Sequence, residues 1–301
     1  MTHTLPGLRA LAFATGLTMA ATAGAQTAAP AAPAKSAPAA KATKPAAKKP
    51  APSGFKYVVE PRAMELLKAM SARLASAQSM SFTATVGYEY PSKAGPALVY
   101  TMRYDVTMKR PDKLRILMPG DGPASEFYYD GKSMVAYAPA ENLAAVADAP
   151  PTIGAALATA FRTAGIYFPF SDLLVADPYA ALADGVKLAY VVGQSANIGG
   201  IKTDMVVWAN DAVHVQVWIG ADDKLPRRMR AVFAGDPLGL RHEMELSNWQ
   251  LDPAIAPDSF VSQKAQAAGR MVFGAPTPPP TGAKPIIKGT APAAKPAGKG
   301  N

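Results

Sequence analysis

The stretch Leu98–Lys109, LVYTMRYDVTMK, constrains this chain more than any other. Leu98, Tyr100, Met102, Tyr104, Val106 and Met108 point one way; Val99, Thr101, Arg103, Asp105, Thr107 and Lys109 point the other. A period of two with one apolar face is the pattern of a half-buried β-strand. Turn chemistry then repeats along the chain. Arg110-Pro111-Asp112-Lys113 reverses it, because Pro fixes φ and Asp favours turn geometry. Leu114–Met118 follows as a strand, Pro119-Gly120-Asp121-Gly122-Pro123 turns, and Phe127–Tyr129 returns. Asp130-Gly131 is a hairpin signal, with Met134–Tyr137 on its far side and Asn142–Ala147 beyond. Ser79–Tyr90 precedes this set with the same alternation at Phe82, Ala84, Val86, Tyr88 and Tyr90.

A second series begins after Gly185. Val186–Val192, Ile201–Trp208, Val213–Ile219, Arg227–Phe233 and Leu240–Leu251 are separated by Asn, Asp, Gly and Pro clusters. Spacing of about ten residues per strand predicts an antiparallel meander. Trp249 closes the last strand, and Asp258-Ser259-Phe260 is expected to pack against an end. Between the two series lies a helical insertion at 151–184. Thr152 is a candidate N-cap for a helix reaching Thr163, with Ile153, Leu157 and Phe161 on one face. Gly165–Phe170 is an apolar irregular loop. Ser171 is placed to cap a short helix Asp172–Val175, and Asp177-Pro178 starts another at Tyr179–Ala183. A first helix, with Pro61 in its first turn and Met64, Leu67, Met70 and Leu74 at helical spacing, precedes all of this and runs through Ala77.

The ends have a different character. Residues 1–25 carry Arg9, the short apolar run Ala10–Ala21 and the small-x-small site Ala23-Gly24-Ala25. That run falls short of the ~20 residues a membrane span needs, so the segment reads as a secretory signal peptide with the mature chain starting at Gln26. Residues 26–54 and 275–301 are Ala, Pro and Lys with little apolar bulk, and are expected to be disordered. Ten of the 31 basic residues lie in 1–54 and 275–301, which hold no acid, leaving 21 against 22 acidic residues in the region 55–274. That balance argues against nucleic-acid binding by the folded part. The Lys-rich ends suit at most a weak contact with anionic envelope surfaces. The absence of cysteine excludes a thiol nucleophile and a lipoprotein anchor at the cleavage site.

Catalytic chemistry has little to stand on. The folded region holds two histidines, His214 and His242, with no partner at metal spacing, and Ser195 lacks a G-x-S-x-G frame. Neither catalytic nor metal residues are assigned, no cofactor is expected, and the chain reads as a non-enzyme.

The ordered series Arg110-Pro111-Asp112-Lys113-Leu114-Arg115, Tyr129-Asp130-Gly131-Lys132, Tyr137-Ala138-Pro139, Pro151-Thr152-Ile153, Pro169–Leu174, Val192-Gly193, Trp218-Ile219, Leu225-Pro226 and Trp249 resembles a family of predicted periplasmic proteins akin to the lipoprotein carrier LolA. The resemblance covers 55–274. It implies a single α+β, mainly β domain: an unclosed antiparallel half-barrel of the LolA, LppX and RseB kind, with helices over its mouth. Related folds carry acyl chains, so it implies a hydrophobic ligand, either a lipid or acyl chain or a lipoprotein. It brings no catalytic residues. An envelope interaction or stress-sensing module without lipid transport is the alternative. The Lys-rich ends depart from the compact pattern of the family.

The apolar groups of the insertion must cover something, and the open face of a curved sheet is the available surface. Tyr100, Met102, Tyr104 and Met108 from the strand, with Phe161, Ile166, Phe168, Phe170, Leu173 and Leu174 from the insertion, are the expected ligand-binding residues.

Overall fold

A computed structural model of the chain describes residues 58–120 and 122–275. The expected signal peptide, the Ala/Pro/Lys-rich linker and the tail from residue 276 lie outside the described residues. No helix among those described is long and apolar enough to cross a membrane.

The two strand series join in one unclosed sheet. The first contains β1 (Ser79–Tyr90), β2 (Leu98–Lys109), β3 (Lys113–Met118), β4 (Ser125–Tyr129), β5 (Ser133–Ala138) and β6 (Leu143–Asp148). The second contains β7 (Leu188–Ser195), β8 (Thr203–Ala209), β9 (Val213–Gly220), β10 (Pro226–Phe233) and β11 (Arg241–Leu251). With the short β12 (Gly269–Met271), the order across the sheet is β12-β6-β5-β4-β3-β2-β1-β11-β10-β9-β8-β7. Each series is a run of antiparallel neighbours. One long-range pairing, β1 with β11, unites them. The 12-stranded sheet does not close on itself, and four of the five helices among the described residues lie over one face, giving the mainly β half-barrel expected above.

Alternation decides what goes inside. The register sets Met80, Phe82, Ala84 and Val86 of β1 opposite Met108, Val106, Tyr104 and Met102 of β2. On the far side of β1, Ala84 and Val86 face Leu246 and Met244 of β11. The residues between them on these strands carry the charge, as in Arg103–Asp105 and Arg228–Glu243 on the outer face.

Helix α1 (Pro61–Ser76) buries Ala63, Leu66, Leu67, Met70, Ser71 and Leu74 against the inner face. Helix α2 (Ile153–Ala164) starts as expected: the Thr152 hydroxyl accepts from the Ala155 N–H at 3.3 Å. It ends at Gly165, whose φ of 67° is the left-handed cap position; its N–H donates to the Phe161 carbonyl at 2.9 Å and turns the chain back under the sheet. Helix α3 (Ser171–Leu174) departs from expectation. Ser171 does not cap it. Phe170 holds the cap position without a side-chain bond, and the Ser171 N–H donates back to the Phe168 carbonyl at 3.0 Å. Helix α4 (Pro178–Ala183) is capped by Asp177. Two elements were not foreseen: α5 (Gln263–Ala267), capped by Ser262, and β12. They follow the 3₁₀ turn Pro257–Phe260 and place Ala265 and Ala268 on Tyr137 and Ala144, on the outer face.

Arg110 locks helices to sheet. Its Nε donates to the Ala77 carbonyl at 3.1 Å and Nη2 to the Leu74 carbonyl at 3.3 Å, at the end of α1. Nη1 donates to the carbonyls of Leu174 at 3.2 Å and Val175 at 2.9 Å, at the end of α3. Burial lowers the pKa of this guanidinium. Cations at helix C-termini are favourable, and carbonyls left without a donor would be costly.

Two predictions follow from these contacts. Arg110→Met should lower the unfolding free energy by about 3 kcal/mol, read from the midpoint in chemical denaturant, and Arg110→Lys should not restore it, because one ammonium cannot span both helix ends. Burial also pushes the phenols of Tyr104, Tyr128 and Tyr129 up to about 12 from 10.0. Between those values the native state retains protons that the unfolded chain releases, so stability should fall as pH rises from about 10 toward 12; denaturation profiles that stay flat across this window would contradict it.

Candidate functional site

The inner face divides into a filled floor and an open rim. Phe82, Tyr104 and Phe127 from the strands meet Phe168 and Phe170 from the loop after α2. Ring centroids lie 5.3 Å apart for Tyr104–Phe170, 5.3 Å for Phe127–Phe168 and 5.6 Å for Phe82–Phe170, all near edge-to-face. Trp249 stacks on Phe82 at 4.4 Å. Met108, Leu173 and Leu174 are buried in the same core. Such pairs prefer edge-on or offset geometry and add to the area they bury.

Strands β1 and β2 run on past this cover. Along β2 the inward positions Tyr104, Val106 and Met108 are buried, whereas Leu98, Tyr100 and Met102 are exposed. Tyr88 of β1 stacks on Tyr100 at 5.7 Å, and Tyr90 meets Tyr100 edge-on at 6.1 Å. Across β1, Tyr88 faces His242, which sits edge-on to Phe233 at 5.1 Å. From the insertion, exposed Phe161 lies against exposed Tyr167 at 6.1 Å. Tyr104 links the two halves: its hydroxyl donates to the Met102 Sδ at 3.5 Å, and its pKa is raised first by burial and then by the phenols of Tyr88 and Tyr167.

The ten expected residues therefore fall into two groups. Tyr104, Met108, Phe168, Phe170, Leu173 and Leu174 are brought together as the floor. Tyr100, Met102 and Phe161 are exposed at the rim, and half-buried Ile166 packs against the core. Tyr88, Tyr90, Leu98 and Tyr167 belong to the rim but were missing from the expected set. The signal for Tyr88 and Tyr90 was present, since counting back from the 91–97 turn sets them opposite Tyr100 and Leu98.

Two cavities lie elsewhere, on either side of Phe260. One, of about 120 Å³, includes Tyr128, Val135, Val146 and Arg270; the other, of about 170 Å³, includes Lys109, Arg110 and Ile255. His214 occupies the outer face opposite Val232, apart from His242. Among the described residues, no group of three or more His, Cys, Asp or Glu side chains is placed to hold a metal ion.

Stability should separate floor from rim. Phe170→Ala should cost about 3–5 kcal/mol, whereas Phe161→Ala should cost about 1 kcal/mol or less, both read by urea denaturation. Similar losses for the two would contradict the division.

Comparison with known proteins places the chain in a family. Residues 63–273 match the family described as "Predicted periplasmic protein (DUF2092)". No curated protein matches. Among solved structures, the lipoprotein LppX of Mycobacterium tuberculosis is similar at 13% identity, over 65% of this chain and 99% of its own, with a TM-score of 0.42. LprF of Mycobacterium bovis is similar at 18% identity, over 65% and 97%, with a TM-score of 0.39. A LolA superfamily protein of Nitrosomonas europaea is similar at 10% identity, over 66% and 97%, with a TM-score of 0.34. The match along 63–273 makes this chain a member of the DUF2092 family of periplasmic proteins.

Proposed function

We propose that this periplasmic protein binds the acyl chain of a lipid or lipoprotein along the inner face of its half-barrel, and acts as a binding protein rather than an enzyme. The observation that carries the reading is the open rim. There the inner face continues past its helices with Tyr88, Tyr100 and Met102 on one side and Phe161 and Tyr167 on the other. Contiguous exposed apolar groups are costly in water and mark a surface that is covered when the protein works. Aromatic rings and a methionine suit a chain of variable length, because they offer broad apolar contact without fixed hydrogen-bond demands.

In this reading Tyr100, Met102, Phe161 and Ile166 take the first methylenes. Tyr104, Met108, Phe168, Phe170, Leu173 and Leu174 form the apolar floor against which the chain ends. The phenols of Tyr88 and Tyr167 stand where a polar head group would leave the rim. The Lys-rich ends add a weak, salt-sensitive contact with anionic envelope surfaces.

A fluorescent long-chain fatty acid titrated into delipidated protein tests the proposal. Saturable binding is expected. Tyr100→Ala and Phe161→Ala should each weaken it about tenfold, or ~1.4 kcal/mol, while leaving the denaturation midpoint close to that of the parent protein. Absence of saturable uptake by the parent protein would overturn the reading.

A further inference from the structure

Short segments run along parts of β6 and β7 at the two limits of the sheet, and a step is left exposed in its middle. At one limit, β12 pairs with Leu143–Ala145 of β6. At the other, Val58–Glu60 runs beside β7: Val59 bridges Ala189, the Glu60 N–H donates to the Ala189 carbonyl at 2.8 Å, and the Glu60 carboxylate accepts the Val191 N–H at 3.0 Å. Between these limits, β2 is longer than its neighbour. Its pairing with β3 begins only at Asp105, opposite Leu117, and runs to Lys109. No strand among the described residues pairs with the outward edge of 98–104. That edge is apolar as well as open: Leu98 is 50% exposed, Val99 66% and Tyr100 48%. It contains neither the Lys nor the Pro with which exposed edges are usually blunted, and its one charge, Arg103, is held by Asp105 at 3.0 Å.

We infer that the edge of β2 at 98–104 is the pairing surface for a second copy of this chain, joined antiparallel about a two-fold axis through Thr101. The residue pattern selects this partner. Such pairing sets Leu98 opposite Tyr104, Val99 opposite Arg103, Tyr100 opposite Met102 and Thr101 opposite itself. Residues directly opposed in a ladder share a face. This register therefore joins apolar inner positions only to apolar inner positions, and leaves Arg103 opposite Val99 with no like charges facing. It uses the whole free edge, and a shift of one residue would set inner positions against outer ones. A two-fold normal to the sheet keeps both inner faces on the same side, so the two rims merge into one apolar surface. The contact is isologous and closes at two copies.

The test uses the exported protein and residue 101. Sedimentation of the parent protein from about 1 to about 200 µM should show a monomer–dimer equilibrium. Thr101→Lys sets two ammonium groups face to face and should weaken it at least about tenfold. An equimolar mixture of Thr101→Lys and Thr101→Glu should restore the dimer. Since the natural chain has no cysteine, Thr101→Cys introduces a single thiol at the axis. Cα atoms opposed in an antiparallel ladder lie about 4.5–5.5 Å apart, within disulfide reach, so mild oxidation should give a covalent dimer. Glu141→Cys, in the turn between β5 and β6, should stay uncrosslinked. A parent protein that stays monomeric throughout the series, or cross-linking no greater at 101 than at 141, overturns the inference.

Discussion

One guanidinium sets the depth of the covered core. Arg110 stands at the turn between β2 and β3 and donates to carbonyls at the ends of both α1 and α3. Four orphan acceptors from two helices are satisfied by one planar cation, which a flexible ammonium could not match. The helices cannot slide along the sheet without breaking several charge-assisted bonds together. Where they stop, the buried part of the inner face stops. The difference between Tyr104, which is buried beneath Phe168 and Phe170, and Tyr100, which is exposed, thus follows from where α3 and the loop leading into it are held rather than from the strand itself.

The aromatic floor depends on that placement. Phe168 and Phe170 reach Tyr104, Phe127 and Phe82 because Gly165 adopts a left-handed conformation that returns the chain beneath the sheet. A residue with a side chain would be strained there. The two rings stack on each other at 5.9 Å, so the loop enters the half-barrel as one unit. The same sheet face thus serves as a sealed core at one end and as an accessible apolar surface at the other.

Much of this was legible in the sequence because strand alternation is local. Which residues of β1 and β2 face inward follows from counting in twos, and the structure agrees from Phe82 to Tyr90 and from Leu98 to Met108. What alternation cannot express is coverage. Tyr100 and Tyr104 have the same parity and the same chemistry, and differ in whether the loop bearing Phe168 and Phe170 lies over them. Ser171 looked like a cap because short polar residues favour that position, but in a helix of one turn the preceding Phe170 is held by core packing instead. The α5–β12 segment escaped notice because VSQKAQAAGRM has small residues and no strong period, and its order comes from docking Ala265 and Ala268 on Tyr137 and Ala144.

The topology also sets an order of assembly. Every neighbour in β1–β6 and in β7–β11 is the next strand along the chain, so each meander can form by zipping successive hairpins, with small loops to close. The β1–β11 ladder is different, since it pairs Met80 with Leu251 and Tyr88 with His242 across the whole insertion. Contacts of such separation are slow, because their loop entropy must be met before they contribute. Until that ladder closes, the chain consists of two half-sheets, each presenting an unpaired strand in its apolar register. In the interval between forming the halves and joining them, the unpaired edges of β1 and β11 are open to pairing with other copies.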